Sequence, residues 1–408
     1  MPKRNPLCVG LDVGTYKIGV IVAESSAEGV EVIGIGTAAS KGLRKGVVVN
    51  MEATVGAIRK AVEEAELMAG CEIRSVVAGS AGSHIRGFNS HGVVAVKSRE
   101  VAPGDVERVI DAARAVALPT DREVLHVLPQ EFVVDDQDGI KEPLGMAGVR
   151  LESRVHIVTG SISSGQNLVK CCNRAGLHVR DVLAGPLAAA EAVLTPEERE
   201  LGVALVDLGG GTTDLVVYQA GAMRHTAVLP VGGGHVTSDL AAALCTPAAE
   251  AERLKQRYGS AIARLTPEDQ AVEVEGLGGR APHRLPRRAL AAVIEPRVEE
   301  MLALVRGEME RTGSAHGLAS GVVLTGGGAV LAHMTTLAER VLRLPVRLGV
   351  PLHLNGLVDV VASPMYSTAV GLVLHGLRED GRGHRAEGVL GQLGVVRERM
   401  MGWLREFF

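Results

Sequence analysis

The sequence predicts an α/β protein of two related lobes that face each other across a cleft. A polar, Gly-rich turn between short apolar runs occurs twice, in CVGLDVGTYKIGVIV from Cys8 and in VALVDLGGGTTDLVVY from Val203 to Tyr218. Such runs and turns mark β-hairpins. Asp207 of the second hairpin follows Asp12 of the first by 195 residues, close to half the 408-residue chain. A unit repeated at half length implies a duplicated body with a site built from both copies. Strand-like and helical runs alternate after each hairpin, as in EATVGAIRKAVEEAELMAG (Glu52 to Gly70) and SSGQNLVKCCNRAGL (Ser163 to Leu177), which is the α/β pattern.

The first hairpin joins Val9–Leu11 to Ile18–Val22, and the second sets Asp207, Gly209, Thr212 and Thr213 where the first has Asp12, Gly14, Thr15 and Lys17. Small residues let backbone N–H groups approach phosphate oxygens, the hydroxyls of Thr15, Thr212 and Thr213 add donors, and Lys17 supplies a cation. The aspartates repel phosphate, so their role is to hold Mg2+ through water. A tight turn without a ligand is the competing reading of either hairpin alone. On AEAERLKQRYG, Glu252 and Lys255 lie three apart and share a helical face; a solvated ion pair is the alternative there. In GVVLTGGGAVLAHM, a buried-type strand (Val322 to Leu324) runs through Thr325 into Gly326, Gly327, Gly328 and then a helical run, a surface that a base or phosphate can approach. After Arg378, REDGRGHRAEG has the composition of a linker. It leads to LGQLGVVRERMMGWLREFF, which at 100° per residue gathers Leu393, Val396, Met400, Trp403, Leu404 and Phe407 on one face. A helix of that kind suits the plane of a membrane interface.

Composition narrows the function classes. The chain exceeds what one core usually supports, and 46% hydrophobic with 22% charged residues is a globular balance. A net charge of −4 with scattered basic residues argues against a nucleic-acid partner. Cys8, Cys71, Cys171, Cys172 and Cys245 lack zinc or thiol-redox spacing and fit a reduced cytosol. The start MPKRNPLCVGLDVG lacks the apolar run of a signal peptide, and no stretch approaches the roughly 20 apolar residues of a spanning helix.

The order hairpin, hairpin, strand-GGG-helix resembles the phosphate, phosphate and adenosine motifs of the actin, sugar kinase and DnaK-type chaperone superfamily. Three segments resemble the FtsA family within it: VLHVLPQEFVVDDQDGIKEPLGMAGVRLESRVHIVTG (Val124 to Gly160), MRHTAVLPVGGGHVTSDLA (Met223 to Ala241) and LAAVIEPRVEEMLALV (Leu290 to Val305). The resemblance runs from Cys8 to Gly376 and implies a two-lobed actin-like (ribonuclease H-like) ATPase fold. Its divisions are a lobe 1 core at 1–84, an FtsA-type inserted subdomain at 85–161, lobe 1 core and interlobe helix at 162–198, and lobe 2 core at 199–241. A smaller lobe 2 subdomain follows at 242–297, then lobe 2 core at 298–352, a return to lobe 1 at 353–378, a flexible linker at 379–391 and a membrane-targeting amphipathic helix at 392–408.

The resemblance also implies ATP and Mg2+ as cofactors. ATP is held by Gly14, Thr15, Tyr16, Lys17, Gly209, Gly210, Gly211, Thr212, Thr213, Gly326, Gly327 and Gly328, with Glu252 and Lys255 at the ribose; Asp12 and Asp207 position Mg2+ and water. It implies head-to-tail polymerisation, tethering of FtsZ filaments to the cytoplasmic face of the inner membrane at the septum, and recruitment of later division proteins. The FtsZ C-terminal tail is expected near Arg284, Arg287, Arg288 and Arg297, with Arg288 and Arg297 the favoured contacts. In VLAGPLAAAEAVL, Gly185 stands where the chaperones carry a water-orienting Glu, and Glu191 lies about a turn and a half further on. Slow ATP turnover is therefore expected. A sugar kinase would need a general-base aspartate and a sugar-binding domain, and a DnaK-type chaperone a β-sandwich after the ATPase. The closest alternative is a cytosolic PilM-like protein of pilus assembly, which is not expected to end in an amphipathic tail.

Overall fold

A computed structural model describes residues 7–26 and 29–383. Lobe 1 opens with β1 (Leu7–Val13), β2 (Lys17–Ser26) and β3 (Gly29–Ala39), an antiparallel meander, followed by the short pair β4 (Leu43–Arg44) and β5 (Val47–Val48), α1 (Met51–Ala69) and β6 (Ser75–Ser80), parallel to β1. Both faces of the sheet are covered, so β1 and β2 are near-continuous apolar runs. Asn50 caps α1 by accepting from Ala53 N (3.1 Å), and Gly70 closes it in the left-handed region.

The chain then leaves lobe 1 for an inserted subdomain: β7 (Arg86–Ala95), α2 (Pro103–Arg114), β8 (Arg122–Val134), β9 (Gln137–Ile140) and β10 (Arg150–Ser161). Its antiparallel sheet has the order β7-β10-β8-β9. Val106, Val109 and Ile110 of α2 pack on Phe132, Val134 and Leu151, a small core of its own. Ser161 caps α3 (Ile162–Arg174) on the way back, and β11 (His178–Ala184) pairs parallel with β6. The buried helix α4 (Gly185–Val193) and α5 (Pro196–Leu201) cross to lobe 2.

Lobe 2 repeats the design. A meander of β12 (Val203–Leu208), β13 (Thr213–Gln219) and β14 (Ala222–Leu229) precedes α6 (Gly233–Leu244), α7 (Ala248–Tyr258), the pair β15 (Ala271–Val274) and β16 (His283–Pro286), and the long α8 (Arg287–Arg311). Then come β17 (Val322–Thr325), α9 (Met334–Leu342) and β18 (Val346–Leu348). The chain returns to lobe 1 through β19 (Leu354–Gly356), which pairs with β3, then α10 (Val358–Val361) and α11 (Ser367–Gly383). In lobe 1 the order β3-β2-β1-β6-β11 matches β14-β13-β12-β17-β18 of lobe 2, with the same parallel and antiparallel relations. The duplication thus extends from the hairpins to whole sheets. Helix α11 lies against α4 so closely that a methyl on Gly371 would stand 1.7 Å from Ala188 O.

Four features differ in detail from the sequence reading. Helices α6 and α8 run unbroken through the expected boundaries at 241/242 and 297. In α8 the buried positions Leu290, Ile294, Val298, Met301, Val305 and Met309 keep helical spacing across Pro296, so packing outweighs the one backbone bond that the proline removes. Residues 379–383, expected as linker, continue α11; extending a formed helix is cheap, and Arg378, just before them, pairs with Glu191. The run after the glycines is a 3-10 turn (Gly327–Val330), with α9 starting only at Met334. Finally, the hairpin register sets Val13 with Ile18 and Leu208 with Thr213, so Gly210 answers Thr15 and Thr212 answers Lys17. The proposed membrane face, Leu393 to Phe407, lies outside the described residues.

Candidate functional site

Four-residue turns of the two hairpins point at each other across the cleft. In the first, Gly14 N–H donates to Lys17 O (3.0 Å) and Ser40 N–H to Tyr16 O (3.0 Å), while Thr15 Oγ1 accepts from Gly46 N–H (2.8 Å). In the second, Gly209 O and Gly210 O accept from Gly233 N–H (2.9 Å) and Gly234 N–H (2.8 Å), and Thr213 Oγ1 donates to Val231 O (2.9 Å). The turns touch. A methyl on Gly211 would stand 2.5 Å from Thr15 Oγ1, and one on Gly210 2.5 Å from the Tyr16 ring.

Behind the turns lies a charged cluster. Lys17 Nζ donates to Met365 O (2.5 Å) and sits 4.2 Å from the centre of the Tyr366 ring. Burial raises the pKa of Asp12, opposed by Lys17, and pushes Asp207 up to about 6, with Asp12 adding to the rise and Thr368 and Lys17 opposing it. Thr368 Oγ1 donates to Asp207 Oδ2 (3.3 Å). Burial lowers Lys17, and the two aspartates resist that. Asp214 is the ladder partner of Asp207; burial, then Asp207, raises it well above the usual carboxylate range. Its Oδ1 is buried without a hydrogen-bond partner among the described residues. Among the described residues no three His, Cys, Asp or Glu side chains converge as a metal-holding group. Asp12 and Asp207, two buried carboxylates that influence one another, are a donor set of the kind that meets a hydrated Mg2+ through water.

The glycines after β17 close the back of the second hairpin. A methyl on Gly326 would stand 2.1 Å from Asp207 Oδ1, and one on Gly328 2.9 Å from Leu208 Cβ. Gly326 N–H and Thr325 Oγ1 donate to Pro364 O (3.1 and 3.3 Å), and Thr325 Oγ1 meets Ser367 Oγ at 2.6 Å. The start of α11 is thereby fastened to both lobes. Lys255 Nζ pairs with Glu252 (2.7 Å) and donates to Thr237 Oγ1 (2.9 Å) and Gly233 O (3.0 Å). Their side chains are 16% and 23% exposed, so the pair belongs to the cleft wall and not to a solvated helix face.

The structure thus brings together Asp12, Gly14 to Lys17, Gly209 to Thr213, Glu252, Lys255 and Gly326 to Gly328. Asp214, Ser367, Thr368 and the Met365 carbonyl join them without having been singled out in the sequence. For Asp214 a signal existed: it holds the place that Gly19 has in the first hairpin, on the same sheet face as Asp207. Arg288 and Arg297 belong to α8. Arg288 pairs with Glu268, and Arg297 makes a fork to Asp239 (2.6 and 3.1 Å) and a contact with Glu300. A separate cavity of about 310 Å³, lined by Ser80, His84, Leu125, Ser161, Lys170 and neighbours, lies where the insert meets lobe 1.

Residues 204–371 match the family described as cell division protein FtsA, and residues 82–159 match the SHS2 domain inserted in FtsA. The chain is 51% identical over 382 residues to the cell division protein FtsA of Pseudomonas aeruginosa, covering 93% of this chain and 92% of that one. It is 42% identical over 412 residues to that of Escherichia coli, covering 98% of each. Solved structures with a similar fold include the PilM-PilN type IV pilus biogenesis complex (TM-score 0.64, 17% identity, 91% of this chain and 98% of that one). Another is MreB5 of Spiroplasma citri bound to ADP (TM-score 0.56, 14% identity, 94% and 99%). At these identities the likeness concerns the fold alone.

Proposed function

The chain belongs to the FtsA family of bacterial cell division proteins, and on that premise we propose that it is an ATP-binding, membrane-associated scaffold of the division septum. The meeting of the two turns, Thr15 against Gly211 and Tyr16 against Gly210, carries the nucleotide part of this reading. MreB5 of Spiroplasma citri, which shares the fold, is bound to ADP. Backbone N–H groups of both turns and the threonine hydroxyls would hold the phosphates, and Lys17 would offset their charge. Glu252 and Lys255 would meet the ribose, and Gly326 to Gly328 the adenosine. Mg2+, held through water by Asp12 and Asp207, would neutralise charge between the phosphates. With Gly185 where a water-orienting acid is needed, and Glu191 buried against Arg378, turnover is slow and nucleotide acts as an assembly signal. Lobe closure on ATP then favours head-to-tail contact between copies.

The division role follows from the family, and its outputs complete the proposal. The segment bearing Leu393, Val396, Met400, Trp403, Leu404 and Phe407 binds the inner membrane from the cytoplasmic side, Arg288 and Arg297 receive the acidic FtsZ tail, and later division proteins are recruited. No helix among the described residues is long and apolar enough to cross a membrane. Co-sedimentation with anionic liposomes, comparing the full chain with one ending at Gly388, tests the anchor. Pelleting of the full chain alone supports it; both chains remaining in the supernatant overturns it.

A further inference from the structure

Tyr16 is the third residue of the first turn, and its side chain reaches across to lobe 2. A methyl on Gly210 would stand 2.5 Å from Tyr16 Cδ2, and one on Gly234 2.4 Å from its hydroxyl. The Cδ2–Cε2 edge of the ring and its hydroxyl therefore rest on bare backbone of lobe 2. Lys255 Nζ is 5.8 Å from the ring centre, held in place by Glu252, Thr237 and Gly233 O. Phosphates cradled by both turns would approach the same glycine surface, where the backbone of the second turn is bare of side chains. Ring and phosphate compete for one volume.

The backbone of Tyr16 is fixed, since its carbonyl accepts from Ser40 N–H (3.0 Å) and the turn is closed by Gly14 N–H to Lys17 O (3.0 Å). The side chain is less constrained: 45% of the residue is exposed, and a tyrosine has other staggered χ1 wells to occupy. We propose that Tyr16 is a gate on the nucleotide site, closed when its ring bridges Gly210 and Gly234 and open when it has rotated outward. The proposal rests on the nucleotide reading above. A closed gate lowers apparent affinity by the fraction of molecules that are open, and its removal restores the intrinsic value. Association is slowed in the same proportion.

The test is stopped-flow binding of a fluorescent ATP analogue, with Mg2+, to the full chain and to its Tyr16→Ala and Tyr16→Phe variants, with circular dichroism melts to establish that each is folded. Tyr16→Ala is expected to associate about 3- to 10-fold faster and to bind correspondingly tighter, if the open state holds roughly a tenth to a third of the population. Tyr16→Phe, which keeps the ring on the glycine surface, is expected to associate more slowly than Tyr16→Ala. Unchanged rates in Tyr16→Ala overturn the gate and leave the nucleotide site standing. Weaker binding by Tyr16→Ala also overturns it, and makes the ring a stacking surface for the ligand. Binding by none of the three chains removes the nucleotide reading, and the gate with it.

Discussion

Replacing Asp207 by Asn separates what the site costs the fold from what it gives the ligand. A carboxyl held at about 6, against 3.8 for an unburied aspartate, has its ionised form disfavoured in the folded chain by about 3 kcal/mol. Asp12 and Asp214 titrate in the same cluster, so about 2–3 kcal/mol belongs to this one group. The sign is that of a raised acid. Below about pH 4 the carboxyl is protonated folded or unfolded and costs nothing. Between 3.8 and about 6 the unfolded chain releases the proton first, so stability falls as pH rises, and the penalty is constant above. Asn keeps an oxygen to accept from Thr368 Oγ1 and carries no charge. At pH 7.5 the variant should melt roughly 5–10 °C higher, taking a cooperative unit of lobe size. At pH 4 the gap should shrink below about 1 kcal/mol. Calorimetric melts at the two pH values measure this. A variant that melts at or below the parent at pH 7.5, or an equal gap at both pH values, refutes the reasoning. The same substitution should remove the Mg2+-dependent part of ATP binding, the familiar exchange of stability for function.

Further expectations concern the other contacts. Lys17→Ala removes the cation of the first turn and should weaken ATP binding about 10- to 100-fold, the worth of a charge-assisted hydrogen bond, read by isothermal titration. His156 is fully buried where the insert docks on β14, with Nδ1 2.6 Å from Asn89 Oδ1 and Nε2 bonded to Thr226 Oγ1. His156→Ala should cost about 2–4 kcal/mol and speed amide exchange in β7 and β14. Burial, then His225, lowers the pKa of His156 to about 3. The unfolded chain therefore takes up the proton first as pH falls below about 6.5, so this docking should be indifferent to pH above 7 and weaken on acidification; a flat profile down to pH 5 contradicts it. Asp239→Ala frees Arg297 from its fork and should tighten binding of an acidic FtsZ-tail peptide by up to about five-fold, whereas Arg297→Ala weakens it. Fluorescence anisotropy distinguishes the two.

The sequence disclosed what depends on local chemistry. Both turns are written in Gly, Thr and Asp between apolar runs, and the 195-residue offset holds through the ladder register as far as Asp214 and Gly19. Less legible was whatever depends on segments remote in the chain. Thr368 and the Met365 carbonyl reach the site only because α11 returns to lobe 1 between α4 and β1, and nothing near 365–368 looks like a binding motif. The docking of the insert on β14, through Asn89, His156 and Thr226, brings together three residues that look ordinary in isolation. Boundaries fared as helices dictate. The expected boundary at 297 falls inside α8, whose buried face carries the helix across Pro296. Conversely, the run after the glycines at 326–328 reads as a helix, but Gly326 takes φ 82° to meet Pro364 O, a 3-10 turn follows, and the helix waits until Met334.

The central claim is that one nucleotide site is assembled from both lobes, and amide hydrogen exchange with and without ATP and Mg2+ tests it most directly. Protection should appear together in residues 12–17 and 207–213, and extend to 233–237 and 325–328, with a single dependence on ATP concentration. Protection of only one turn, or of neither, contradicts it.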